Sequence, residues 1–316
     1  MAVLTSYFAS LNPIALFRSM PGAFAQGMIW GLLALGVYIT YKLLDFADLT
    51  VDGSFATGAA VAVMLIRGGM NPWLALIFAF LAGMLAGLIT GLLHTALGIP
   101  GILAGILTQI SLYSINLNIM GCSNQAVNVD KYNLIVSLRY LTDSTVTEIR
   151  LFITLILFCV VIIGLLYWYF GTEQGQAIRA TGCNPQMARA QGINTNFHTV
   201  LALMISNGIF GLAGALYAQY QGAADVNMGR GAIVIGLAAV IIGEVLFGKL
   251  CAGKKISFAY TLLSVIAGAI IYYMVISVVL WLKFPSDDLT LFSAIVVALF
   301  LSIPYLKGKY AKKEVK

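Results

Sequence analysis

Residues 72–97 read PWLALIFAFLAGMLAGLITGLLHTAL, 26 positions without one Asp, Glu, Lys or Arg. A helix of about 20 mostly apolar residues crosses the hydrocarbon core of a bilayer, so this stretch reads as a membrane span. The same test selects 23–41, 101–119, 151–170, 198–220, 257–282 and 289–306, which makes seven long spans. Two shorter runs, 53–67 and 231–247, are glycine-rich and bounded by charge, and read as full spans, broken helices or re-entrant segments. The expected fold is all-α: a polytopic transmembrane helical bundle of about 8–10 spans. It forms a single domain over 1–316, with residues 1–22 as an N-terminal interfacial segment and 307–316 as a basic tail.

Composition agrees with this expectation. Of 316 residues, 60% are apolar and 9% charged, and mean hydropathy is +0.95. A soluble domain carries roughly a quarter charged residues, and a disordered chain is far less apolar. Cys122, Cys159, Cys183 and Cys251 form no C-x-x-C pair, so neither a zinc site nor a disulfide framework is indicated. The net charge of +6 rests largely on five lysines in the last ten residues, which suit a helix end at an anionic leaflet better than a nucleic acid.

Placing that tail in the cytoplasm puts the loops at 42–52, 171–197 and 248–256 on the same side. Eleven Lys and Arg are then cytoplasmic against seven outside, as the positive-inside bias requires. Gly83, Gly87 and Gly91 form a doubled G-x-x-x-G, and Gly27/Gly31 and Gly101/Gly105 repeat the spacing, which reads as close helix packing within a bundle. ADLTVDGSFATG at 47–58 and ADVNMGRGAIVIG at 224–236 each lead from Ala-Asp through glycine into a short span. On the topology above they lie on opposite faces, as the halves of an inverted repeat would.

The loop GQAIRATGCNPQMARAQGIN, residues 175–194, carries the punctuation of a short helix. Asn184 caps it, Pro185 takes the first helical position, Met187, Ala188 and Arg189 continue it, and Gly192 supplies a left-handed end. About two turns cannot stand alone in water, so the helix must dock on the bundle or on a partner.

Other polar residues have readings of their own. Gly243 to Lys249 mimics a phosphate loop, but Leu250 stands where Ser or Thr is needed and the segment ends an apolar span. Glu244 suits an ion pair with Lys249, Lys42 or Arg179. Asp48 and Asp52 read as structural or gating charges, either able to face a helix N-terminus. On 101–119, Ser111, Ser114 and Asn118 share a stripe with Thr108 at its edge, while Gln109 and Asn116 lie nearly opposite. One stripe lines a solute path and the other bonds a neighbouring helix, with Asn207 and Gln219 as further path candidates.

The pattern G-x-x-I-R-A-x-G-x-N-x-x-x-A-x-x-x-G-I from Gly175 to Ile193 is followed by Gly211, Gly214 and Ala218 in the next span. It resembles the permease subunits of ABC importers for branched-chain amino acids and ribose-type sugars. DLTVDGSF at 48–55, with LGIPGILAGILT and LYSINLNIMG across 97–121, resembles the tryptophan/tyrosine-type branch of that superfamily. The resemblance implies a bacterial multi-pass membrane protein with its C-terminus in the cytoplasm, moving an aromatic or branched-chain amino acid inward. It makes Asn184 to Gly192 the coupling helix, with Arg179 and Arg189 near the ATPase surface. It further implies two ATPase subunits that bind ATP and magnesium, an external substrate-binding protein and a second permease copy. The chain itself would then be no enzyme and hold no cofactor. A sugar or nucleoside permease is the nearest alternative. An ion-coupled secondary transporter fits the repeat but lacks a carboxylate at the centre of a long span, and no catalytic arrangement supports an intramembrane enzyme.

Overall fold

The computed structural model describes residues 13–129, 131–143, 145–251 and 257–282, together with 291, 294–295, 297–299 and 302. The basic tail, residues 1–12 and most of the span expected at 289–306 lie outside the described residues.

The chain is helical almost throughout. Helix α1 (Pro13–Tyr38) ends in a π-helical turn, Ile39–Leu43, and is followed by α2 (Val51–Arg67), α3 (Pro72–Thr95) and α4 (Gly101–Met120). After strand β1 (Asn124–Ala126) come the one-turn α5 (Tyr140–Asp143), α6 (Thr145–Gly171), α7 (Glu173–Cys183) and α8 (Pro185–Ala190). Helix α9 (Thr195–Gln221), strand β2 (Ala223–Asp225), α10 (Ala232–Cys251) and α11 (Ser257–Trp281) complete the described elements. Among the described residues six helices are long and apolar enough to cross a membrane, and Ala232–Phe247 is a shorter apolar one. The first of the six starts at Leu16, so the expected interfacial segment is helical from Pro13 and runs unbroken into the span through Pro21.

Helix α9 is the hub. Its small residues admit α3 so closely that a Cβ at Gly83 or Gly87 would strike the carbonyl of Asn207 or Leu203, and one at Gly211 the carbonyl of Ala79. The doubled G-x-x-x-G of α3 therefore packs the bundle internally. Where helices gain nothing from expelling water, this van der Waals contact is a main source of cohesion. The outward faces of α3 and α6 are lined with Trp73, Ile77, Leu81 and Leu85 and with Ile153, Leu157, Val160 and Trp168, as lipid-facing surfaces require.

The two short spans are continuous helices, α2 of 17 residues and α10 of 20, whose starts meet inside the protein. Lys42 pairs with Glu244 late in α10, whereas Asp52 meets Gly231 just before its first turn. Thirteen helical residues separate Gly231 from Glu244, a rise of about 20 Å. Between Lys42 and Asp52 the chain thus climbs back into the membrane beside α4, where Phe46 and Leu49 cover Gly101 and Gly105. Residues 42–52, expected as a cytoplasmic loop, are a half-buried re-entrant segment, with Leu44, Phe46, Asp48 and Thr50 inward and Lys42, Asp45 and Ala47 exposed. Irregular backbone survives at such depth only when protein surrounds and satisfies it. Here Leu44 and Phe46 N–H groups donate to Ile39 and Thr40 carbonyls.

Helix α2 then runs to the end where Tyr132 donates to the Arg67 carbonyl, and α10 runs to the opposite end, where Lys42 lies. Strand β1, after α4, pairs antiparallel with β2, Asn124 against Asp225, and β2 leads the chain from α9 to the start of α10. Each half opens with the same Asx turn: Asp48 accepts from Thr50 N–H at 2.9 Å, and Asp225 from Asn227 N–H at 2.7 Å. The two stretches, expected on opposite faces, instead meet, Gly229 lying against the Asp52 carbonyl, and α2 and α10 diverge from that contact.

Candidate coupling helix and translocation face

Helix α8 is capped at both ends. The Asn184 side chain accepts from Met187 N–H at 3.1 Å, and Pro185 occupies the first helical position. At the far end Ile193 N–H reaches the Ala188 carbonyl and Gly192 N–H the Arg189 carbonyl, each at 3.0 Å, with Gly192 at φ +82. These two bonds are a Schellman motif. Ala188 is buried against the bundle while Met187 is 60% exposed, so the helix presents one face outward. Arg189 is exposed, and its Nε donates to Thr195 Oγ1 at 2.8 Å, tying α8 to the start of α9.

Arg179 sits elsewhere. Its guanidinium lies 4.1 Å from the Phe258 ring centroid and 5.6 Å from that of Phe170, on the flank of α7 rather than on the exposed face of α8. Partial burial pulls its pKa below the ordinary guanidinium value, and the Tyr38 hydroxyl opposes that shift. Glu244 is paired with Lys42 at 3.0 Å. That bridge, Gly182 against Leu43, and α8 mark one end of the bundle.

Asp48 is buried and Asp52 partly so, and each bonds to a distant element. Asp48 accepts from Asn207 Nδ2 at 2.7 Å, and Ser54 Oγ donates to Asn207 Oδ1 at 2.6 Å, which locks the re-entrant segment and α2 onto α9. Asp52 accepts from the N–H groups of Gly231 and Ile233 at 3.0 and 3.2 Å, capping α10. Of the two acids, Asp52 is the one at a helix N-terminus.

The expected path residues divide. Ser111, Ser114 and Asn118 lie on the exposed face of α4, between apolar Leu107, Ile110 and Ile115. Thr108 is buried in a hydroxyl chain, 2.9 Å from Thr90, itself 2.8 Å from Thr50. Asn207 is buried with Asp48, and Gln219 accepts from Ile135 N–H at 3.1 Å to hold the 121–144 loop. The structure thus groups Ser111, Ser114 and Asn118 and sets Thr108, Asn207 and Gln219 in the packing between helices. On the other side of α4, Gln109 and Asn116 join Asp52, Tyr113, Asn227 and Arg230 around a cavity of about 350 Å³. Tyr113, Asn227 and Arg230 went unnoticed in the sequence, although Arg230, isolated between Gly229 and Gly231 in the second repeat motif, was a visible signal. Gly243 to Lys249 is continuous α10 helix, not a phosphate loop. Among the described residues no three His, Cys, Asp or Glu converge as metal ligands.

Two helices that start against one another inside a polytopic bundle, with a capped helix presented at one end, suit a membrane permease. The model of the branched-chain amino acid transport system / permease component family matches residues 20–303, and the chain belongs to that family. The tyrosine transport system permease protein of Clostridioides difficile R20291 is 38% identical over 92% of this chain and 93% of its own length. The D-allose transport system permease protein AlsC of Escherichia coli K12 is 26% identical, over 85% and 80%. The solved PsaBC from Streptococcus pneumoniae, in complex with Fab, shares the fold at TM-score 0.50 and 18% identity, covering 97% of this chain and 99% of that one.

Proposed function

We propose that this chain, as the membrane-spanning subunit of an ATP-driven importer, carries an amino acid, aromatic or branched-chain, into the cytoplasm. The observation that carries the reading is α8, a doubly capped helix exposing Met187 at one end of the bundle. Likeness to the tyrosine transport system permease over nearly the full length of both chains supports the amino-acid class. Likeness to permeases named for D-allose and nucleosides supports sugar or nucleoside cargo as a second reading.

Residues 184–192 act as the coupling helix, Arg189 bracing it against α9. Two ATPase subunits bind ATP and magnesium and perform the hydrolysis; this chain needs no cofactor. Their closure pushes α8, and the push passes through Thr195 into the hub helix and the re-entrant segments it holds. The α8 end and the C-terminus face the cytoplasm, and a binding protein delivers solute at the β1–β2 end. The polar stripe Ser111, Ser114 and Asn118 contrasts with the apolar faces of α3 and α6. It faces a second permease copy, and the path runs between the two.

The test is ATP-dependent uptake and ATPase co-purification before and after Met187→Glu. The variant removes no contact inside the bundle, so loss of the ATPase with an unchanged elution profile supports the reading. Full retention of the ATPase and of uptake would remove α8 from the coupling role.

A further inference from the structure

We propose that the cavity where the starts of α2 and α10 meet binds the zwitterionic head of a free α-amino acid, a site that rests on the importer reading and narrows its cargo. At about 350 Å³ the space lies between the start of α2, one face of α4 and the turn before α10. Its size falls within the roughly 300–1,000 Å³ typical of small-molecule pockets.

Asn116 is the first argument. Its side chain is fully buried and lines the cavity, yet neither Nδ2 nor Oδ1 has a hydrogen-bond partner. A buried amide with both donor and acceptor unmet is costly, and such groups nearly always find a partner. A solute bearing an acceptor and a donor on adjacent carbons, as the α-carboxylate and α-ammonium of an amino acid are, would meet both.

The charges are the second. Arg230 is exposed at the cavity wall and forms no salt bridge among the described residues. Its planar fork suits a carboxylate held bidentately. Asp52 accepts from the backbone N–H groups of Gly231, Ala232 and Ile233. A carboxylate has about four acceptor positions, so capacity remains for an ammonium group. One guanidinium and one carboxylate make the wall dipolar and neutral in sum. The hydroxyls of a sugar or nucleoside would bond either group but neutralise neither charge, whereas an anion or a cation would meet the wrong partner at one end. Tyr113 and Ile110 offer the side chain an apolar wall.

The experiment is equilibrium binding of radiolabelled L-tyrosine to the full chain in nanodiscs, without ATP or binding protein. Competition by L-tyrosine and L-leucine, and none by tyramine, D-ribose or uridine, is expected. Arg230→Gln should weaken binding at least tenfold, and Arg230→Lys should recover part of it. Equal competition by tyramine or uridine, absence of L-tyrosine binding, or unaltered binding in Arg230→Gln would overturn the site. The competitor series uses the native chain and so does not depend on how any variant folds. If L-tyrosine fails to bind while ATP-driven uptake is intact and Met187→Glu abolishes it, the site falls and the importer reading stands; loss of both sinks the reading too.

Discussion

Asp52, in the first turn of α2, accepts the backbone N–H of Gly231 at 3.0 Å immediately before α10, so one helix caps the other. The bond to Ile233 adds a second N–H of the same helix start. Without this carboxylate those donors would lie unsatisfied inside a bundle with little water to reach them.

Replacing it should loosen the junction of the two halves. Asp52→Ala is expected to cost about 1–2 kcal/mol, the range for a lost helix cap, and Asp52→Asn, which keeps an acceptor but loses the charge, less than half of that. Thermal inactivation in nanodiscs, ranked wild type above Asn above Ala, checks this. An Ala variant as stable as wild type would show that the cap contributes nothing.

The Asp48–Asn207 bond at 2.7 Å joins the re-entrant segment to the hub helix inside the bundle. Asn207→Leu leaves Asp48 Oδ2 and the Ser54 hydroxyl without their Asn207 partners, the carboxylate keeping only its bonds to Thr50. Hydrogen bonds to charged groups are worth about 1.5–3 kcal/mol, so the single variant should be strongly destabilised. Asp48→Asn combined with Asn207→Leu should recover part of that loss, because the stranded group is then neutral. Recovery of folded, monodisperse protein across the set is the readout.

Much of the molecule was legible in advance, for identifiable reasons. Span positions follow from hydrophobic length, and the ends of α8 from Asn184, Pro185 and Gly192, whose local geometry requires those residue types. The residues 42–52 were not legible as a half-buried segment. Their charges, Lys42, Asp45, Asp48 and Asp52, read as an aqueous loop, while the partners that satisfy two of those acids, Asn207 and Gly231, lie more than 150 residues away. The stripe on α4 was half legible for a related reason. Helical phase places Thr108 within reach of Ser111, but the hydroxyls of Thr50 and Thr90 that bury it come from other elements.

The Lys42–Glu244 bridge spans the two halves, but its side chains are 48% and 34% exposed. Screening by solvent limits such a pair to about 0.2–1 kcal/mol. A double-mutant cycle with Lys42→Ala and Glu244→Ala should return a coupling in that range, diminishing as salt is raised. A coupling several times larger would make the bridge a main latch between the halves.

Gly83 and Gly192 test opposite consequences of adding one side chain. At Gly83 a Cβ meets the Asn207 carbonyl, backbone that cannot yield without parting α3 from α9. Gly83→Val should therefore destabilise the whole bundle, by at least the roughly 1–3 kcal/mol of an overpacked core. At Gly192 there is open space around the position, and the obstacle is the left-handed backbone at φ +82. Gly192→Val forces a β-branched residue into that conformation, at about 1–2 kcal/mol. This strain falls on a six-residue helix that has no stability of its own, so the Schellman end frays while the bundle stays folded. The expected pairing is a lowered melting temperature for Gly83→Val, and for Gly192→Val an unchanged melting temperature with reduced ATP-driven uptake. Equal loss of stability in both variants would mean that α8 is an integral part of the bundle core, and that motion of this helix cannot be what couples the ATPase to the path.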